Sequence, residues 1–334
     1  MFLLLIVIHE FGHFIAAKAC GVKVNEFAIG FGPKLFKIKG KETLYSVNLI
    51  PFGGYCAMEG EDESSGEPRA FCNKKPLQRL IIVAAGAIFN LILGLIIVGV
   101  SLIPNTYSDL LGSTTVARFA ENSVSSQYGL AEGDKIISVD GRRVFTERDL
   151  SYTFTNVKDG TVDLVVKRDG EKVSLPDVRF ETEEVEGITV LKLDFWILGK
   201  EKTFGNMIEH TFATTVSYCR IVWFSLIDLL SGKYGISAMS GPVGITATVG
   251  EVAKKNILDI LPIMALITIN LGIFNLLPIP ALDGGRILFI LIELITRRPV
   301  PQKYESWVHA AGFIILIVLM ILIAAKDIIS LFVG

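Results

Sequence analysis

The chain has 334 residues, of which 51% are hydrophobic and only 20% charged, with a formal net charge of −2 and a mean hydropathy of +0.53. A water-soluble chain carries about a quarter charged residues, so the balance points to a membrane protein and away from a disordered chain or a basic nucleic-acid binder. Cys20, Cys56, Cys72 and Cys219 form no C-x-x-C pair, and none lies between Pro104 and Thr203, where much of the charge is gathered, so nothing suggests a disulfide framework or a cysteine zinc knuckle.

Four apolar blocks are long enough, at about 20 residues, to cross a bilayer as helix. The first is residues 1–20, MFLLLIVIHEFGHFIAAKAC. It has no basic n-region and carries His9, Glu10 and His13 where a cleavable leader would be featureless, so it reads as a span. A lysine-rich loop, 21–76, leads to the second block at 77–103. Residues 112–183 then read as a small β-rich domain: alternating strands in KIISVDGRRV and TVDLVVKRDGEKVSL, turn signals at Asp140-Gly141, Asp159-Gly160 and Asp169-Gly170, and a predicted helix over Glu147–Thr155. Residues 204–231 mix apolar side chains with Glu209, His210, Arg220 and Asp228. An amphipathic helix at the membrane surface is expected there, with a fifth span as the alternative. The third block, 257–296, is broken by PIPALDGGR, and the fourth, 307–333, opens on Trp307 as an interfacial anchor would.

Orientation follows from lysine and arginine. From Lys18 to Leu80 there are ten, in the first loop and at its two flanks, and the stretch Arg286 to Ser306 holds four. Both are therefore expected on the cytoplasmic side, which places the termini and the β-rich insert on the other face.

His9-Glu10-Phe11-Gly12-His13 is an H-E-x-x-H sequence. Residues four apart share a helix face, so both imidazoles can reach one zinc ion with Glu10 beside the water that the metal activates. Three ionisable groups within five residues of an apolar span mark function, because such groups are costly in hydrocarbon. At 1.5 Å per residue the histidines fall near the middle of the bilayer. A catalytic zinc takes about three protein ligands and leaves a position to water. His210 and His309 are the remaining imidazoles, and neither sits in an arrangement that explains it. Asp283 is the better candidate, in NLLPIPALDGGR, where Pro278 and Pro280 break the helix and Gly284 and Gly285 let the backbone turn. An ordinary loop between two spans is the alternative for that stretch.

His9-Glu10-x-x-His13, together with Asn275-x-x-Pro278-x-x-x-x-Asp283-Gly284, resembles the site-2 protease family of intramembrane zinc metalloproteases, and within it the bacterial, RseP-related members with a single PDZ domain. The resemblance covers nearly the whole chain. It implies a polytopic α-helical membrane protein of about four transmembrane helices, with an inserted PDZ-like domain and a membrane-associated β-hairpin loop. It implies Zn2+ held by His9, His13 and Asp283, with Glu10 as general base. Gly30-Phe-Gly32-Pro33 and Asn48-Leu-Ile-Pro51-Phe-Gly53-Gly54-Tyr55 look like the hairpin. The stretch from Gly129 to Gly141 is similar to a PDZ signature, and Ser240-Gly241-Pro242-Val243-Gly244 resembles a family motif ahead of the third span.

The implied activity is regulated intramembrane proteolysis: hydrolysis of peptide bonds inside membrane-spanning proteins or peptides. The family's substrates include anti-sigma factors, signal-peptide remnants and pheromone precursors. The implied location is the bacterial cytoplasmic (inner) membrane, with the PDZ-like domain outside the cytoplasm and the site toward it. Asn275, Pro278, Gly53 and Gly54 are expected near substrate, although for Asn275 a helix-packing amide stands as an equal alternative. An edge strand within Leu44–Ala57 is expected to hold an unwound substrate by β-augmentation. A zinc peptidase with its site in the soluble insert is disfavoured because the insert contains no histidine, and a pure receptor or scaffold would have no need of Glu10.

Overall fold

The computed structural model describes residues 1–61, 65–103, 110–155, 157, 159–185, 188–232 and 241–333. The chain forms two compact units, one of Met1–Ile97 with Leu229–Gly334 and one of Val98–Asp228.

The first unit begins with α1 (Phe2–Ala19). Its buried residues Leu5, His9, Gly12, His13, Ala16 and Ala17 recur at three and four and so form one stripe, while Leu4, Phe11 and Ile15 are exposed apolar side chains on the rest of the helix. β1 (Val24–Lys39) and β2 (Leu44–Met58) form a hairpin that folds back on itself. The first half of β1 lies between the two ends of β2, with Phe27 paired to Cys56 on one side and to Tyr45 on the other. The second half pairs with residues 44–48, from Lys39 opposite Leu44 to Lys34 opposite Asn48. Four strand segments therefore lie side by side, and residues 54–58 form an outer edge among the described residues. Pro76 then opens α2 (Pro76–Ser101), where its missing N–H costs nothing. Ala16, Ala17, Val24, Met58, Ile82, Val83 and Ile290 share one core, which welds α1, the hairpin and α2 to a later helix.

The second unit is β-rich. Its strands are β3 (Leu110–Leu111), β4 (Val116–Phe119), β5 (Lys135–Val139), β6 (Arg142–Arg143), β7 (Thr161–Arg168), β8 (Glu171–Arg179), β9 (Thr182–Val185), β10 (Ile188–Leu191), β11 (Phe195–Ile197) and β12 (Lys200–Glu201), with α3 (Glu147–Phe154) between β6 and β7. One sheet has the order β6-β5-β7-β8, and β4 pairs with β11, β3 with β12 and β9 with β10. Ile136, Leu150, Phe154, Leu164, Val166 and Phe195 are buried together. The body does not close at residue 183, where the sequence reading ends it. Phe195 stacks edge-on with Phe154 and Phe119, and β12 still pairs with β3. Strands of two to four residues are too short to show the two-residue alternation by which a strand is read.

The unit ends in α4 (Phe204–Leu230), which docks through polar side chains. Asp149 accepts from the backbone N–H of Phe145 and Thr146, from Ser217 Oγ and from Arg220, while Asp228 accepts from Arg142 and the Tyr152 hydroxyl. Asp149, Ser217 and Asp228 are all buried.

The chain returns to the first unit with α5 (Pro242–Lys255), a helix the sequence reading assigns to no element. Ser240, the first residue of the motif expected there, lies outside the described residues. The expected third block is two helices, α6 (Ile260–Leu276) and α7 (Asp283–Thr296), separated by residues 277–282. The fourth is α8 (Gln302–Val333). Among the described residues, five helical runs are long and apolar enough to cross a membrane: α1, α2, α4, Ile257–Leu276 and Lys303–Ile329.

Candidate metal centre

α1 presents His9 and His13 on the same face, one turn apart, with their rings nearly perpendicular at 87°. α7 begins at Asp283, and its first turn packs so closely on the end of α6 that a Cβ on Gly284 would lie 1.8 Å from the Leu277 carbonyl oxygen. Only glycine fits there, and the result is that Asp283 is delivered to α1. Nε2 of His9 lies 3.1 Å and Nε2 of His13 3.3 Å from Oδ2 of Asp283, and the two nitrogens are 3.2 Å apart.

The outer nitrogens of the rings settle what the inner ones carry. His13 Nδ1–H donates to the backbone oxygen of Ile82 on α2 at 2.9 Å, so in the neutral ring Nε2 presents a lone pair. His9 Nδ1 lies 3.2 Å from the side-chain amide of fully buried Asn90, also on α2. The Asn90 amide nitrogen is the nearer atom, and its Oδ1 is buried without a donor. Turning that amide over gives Oδ1 the Nδ1–H of His9 and leaves His9 Nε2 as a second lone pair.

Asp283 Oδ2, itself buried without a donor directed at it, then faces two acceptors. Three buried acceptors at mutual distances of 3.1 to 3.3 Å repel unless a cation lies among them. A tetrahedral zinc with bonds of about 2.0–2.1 Å sets neighbouring donors about 3.3 Å apart. The donor set therefore fits zinc in both spacing and chemistry. Nitrogen ligands whose second nitrogen is held by an outer partner are the usual form of such sites.

A cavity of about 720 Å³ opens on this cluster. Glu10 lines it beside His9 and His13, as do Tyr55, Cys56, Ala57 and Met58 of the outer edge of β2. Gly54 brings the edge close to the acid: a Cβ there would lie 3.5 Å from Glu10 Cγ and 2.9 Å from the Ala28 carbonyl oxygen. Gly53 adopts a left-handed φ of +89° that turns the strand just before it. An ion pair between Arg286 and Glu61 closes part of the wall.

His9, Glu10, His13 and Asp283 thus come together, with Gly54 against Glu10. Asn275 is buried on α6 and Pro278 lies in the 277–282 loop, and neither is among the residues lining the cavity. His210 stands in the second unit, 3.7 Å from Glu147. Sequence reasoning missed Asn90, the Ile82 carbonyl and Gly86, where a Cβ would lie 2.4 Å from His13 Nε2, all on α2. Of these only Asn90 carried a signal, as an amide inside an apolar helix.

The model of Peptidase family M50 matches residues 1–319. The chain is 37% identical over 332 residues to a protein of Clostridium acetobutylicum, covering 97% of this chain and 94% of that one. It is 37% identical over 327 residues to one of Clostridium perfringens (97% and 95%) and 32% identical over 337 residues to one of Fusobacterium nucleatum (98% and 96%). All three bear the name "Putative zinc metalloprotease".

Proposed function

The chain belongs to peptidase family M50, and from that premise we propose that it is an intramembrane zinc metalloprotease of the site-2 type, hydrolysing peptide bonds within membrane-spanning segments of other proteins. The observation that carries the reading is the triangle of His9, His13 and Asp283 with Glu10 on the same cavity wall. His9, His13 and Asp283 would hold the metal. When bound, zinc acidifies a water and polarises the scissile carbonyl.

The other steps belong to the chain. A Glu10 carboxylate oxygen takes the proton of the attacking water and gives it to the departing amine nitrogen. Asn90 and the Ile82 carbonyl keep the two imidazoles in the tautomer whose Nε2 faces inward. The outer edge of β2 at residues 54–57 offers backbone beside Glu10, where an unwound stretch of substrate adds as a further strand. This narrows the edge expected within Leu44–Ala57 to its last four residues. Asn275 and Pro278 shape the break between α6 and α7 in this reading.

The β-rich unit acts as a single PDZ-like docking or gating domain for a substrate's trimmed end, outside the cytoplasm. The docking of α4 on that unit, with Ser217 and Asp228 buried against it, supports four spans with α4 at the membrane surface. The location in this reading is the bacterial cytoplasmic membrane, and the substrates are membrane-spanning proteins or peptides.

The test uses the full chain in detergent, with zinc measured and cleavage of a membrane-spanning peptide followed. Glu10→Gln is expected to keep its zinc and lose cleavage. A Glu10→Gln variant that cuts as well as the parent would sink the protease reading.

A further inference from the structure

The loop that brings Asp283 to the histidines is residues 277–282, LPIPAL, and a partner can be named for each of its backbone N–H groups. Pro278 and Pro280 have no N–H to satisfy. The N–H groups of Leu277, Ile279 and Leu282 donate locally, to the carbonyls of Phe274, Leu277 and Ile279. Ala281 remains. Its N–H donates at 3.0 Å to Nδ1 of His309, one helix away on α8. Ala281 also has a φ of +74°, a conformation an alanine holds only when its surroundings impose it.

Those surroundings come from α8. His309 and Gly312 lie three residues apart on one face of that helix. A Cβ on Gly312 would lie 2.4 Å from Pro280 Cβ, so the loop is seated directly on the α8 backbone. The His309 ring also packs near Phe289 of α7, with centroids 5.9 Å apart, and a Cβ on Gly285 would lie 3.1 Å from its Cε1. The imidazole that packs beside Phe289 and Gly285 thus also accepts the N–H that the loop does not satisfy itself.

We infer that His309 is a positioning residue for the metal centre: by accepting the Ala281 N–H it holds the left-handed turn that places Asp283 against His9 and His13. His309 supplies no ligand; its nearest contribution to the metal is two residues upstream of Asp283. The inference rests on the zinc reading of that site. It gives a role to a histidine whose place in the sequence explains nothing.

The experiment measures zinc binding to the purified full chain in detergent, by metal content and by competition with a chelator, with zinc alone as the probe. His309→Phe keeps the ring and removes the acceptor, whereas His309→Asn keeps an acceptor near the position of Nδ1. Outer-shell losses of this kind weaken a metal site about tenfold to a hundredfold. That loss is expected for His309→Phe, with His309→Asn remaining much closer to the parent. Glycine adopts the left-handed turn freely, so Ala281→Gly is expected to bind zinc like the parent, and His309→Phe with Ala281→Gly to bind it more tightly than His309→Phe alone.

The inference is overturned if His309→Phe binds zinc like the parent, if His309→Asn loses as much as His309→Phe, or if the added Ala281→Gly restores nothing. Should His309→Phe not yield folded protein, the double variant must yield it, and its failure to do so counts against the inference. A parent chain that binds no zinc would remove the metal reading itself. A zinc-binding parent with an unaffected His309→Phe removes this inference alone.

Discussion

A methyl group added to Gly86 would stand 2.4 Å from Nε2 of His13. The same added atom would lie 2.8 Å from Cε1 of His9, so the bare backbone of α2 leaves the space in which both imidazoles turn toward Asp283. Gly86→Ala is expected to cost about 1–3 kcal/mol in overpacking and to displace at least one ring. Zinc content of the purified variant should fall well below that of the parent, while Gly99→Ala, whose added Cβ would meet only Thr211 at 3.5 Å, should bind zinc normally.

Asn90 reaches His9 from the same helix. Asn90→Leu keeps the number of side-chain heavy atoms and removes the acceptor, so His9 loses the partner that fixes its tautomer. Zinc affinity by chelator competition should drop about tenfold to a hundredfold. Asn90→Asp, which keeps an acceptor oxygen, should lose less; equal losses from the two would argue for packing instead.

Glu42 gives a pH prediction outside the spans. Arg69 and then Lys18 hold its carboxylate by hydrogen bonds, at 2.7 Å each, and its pKa falls from 4.5 to about 2. A carboxyl depressed in the folded state stabilises that state fully above its unfolded pKa, and the contribution disappears as pH falls through the folded pKa. The parent should therefore lose stability between about pH 4.5 and 2 in a thermal scan. Glu42→Gln should flatten that limb; a limb of unchanged steepness would remove the assignment.

Arg142 and Tyr152 meet Asp228 at the end of α4. Arg142→Met removes the guanidinium from a buried carboxylate, at an expected cost of about 3 kcal/mol. Hydrogen exchange should show the α4 amides opening faster, with those of α1 unchanged. Equal exchange in parent and variant would mean that the pair does not hold the helix.

Much of this was readable in the residues. The four-residue spacing of His9 and His13 gives a shared helix face directly, and Pro278 and Pro280 mark the break that precedes Asp283. What brings Asp283 onto that face is packing between Gly284 and the end of α6, which no local pattern encodes. The Ile82 carbonyl is invisible in sequence because every residue has one. The helix α5 also went unread: Gly244, Ile245, Thr246, Thr248, Val249 and Gly250 are poor helix formers. A tertiary partner offsets this at its first turn, where the Gly244 N–H donates to buried Asp327 of α8 at 2.9 Å. The β-rich unit was read through its longer strands and lost at its closing ones, because β11 and β12 are defined by partners some 75 to 90 residues earlier.

The three acceptors of the cluster enter the protein at very different times. About 270 residues separate His13 from Asp283, and a ribosome needs on the order of tens of seconds to make them. Throughout that interval the growing chain holds two histidines and an acid in its first helix but not the carboxylate that closes the triangle. The geometry that fits a metal is therefore completed only after the hairpin and the β-rich unit, which lie between His13 and Asp283 in sequence, have already been made.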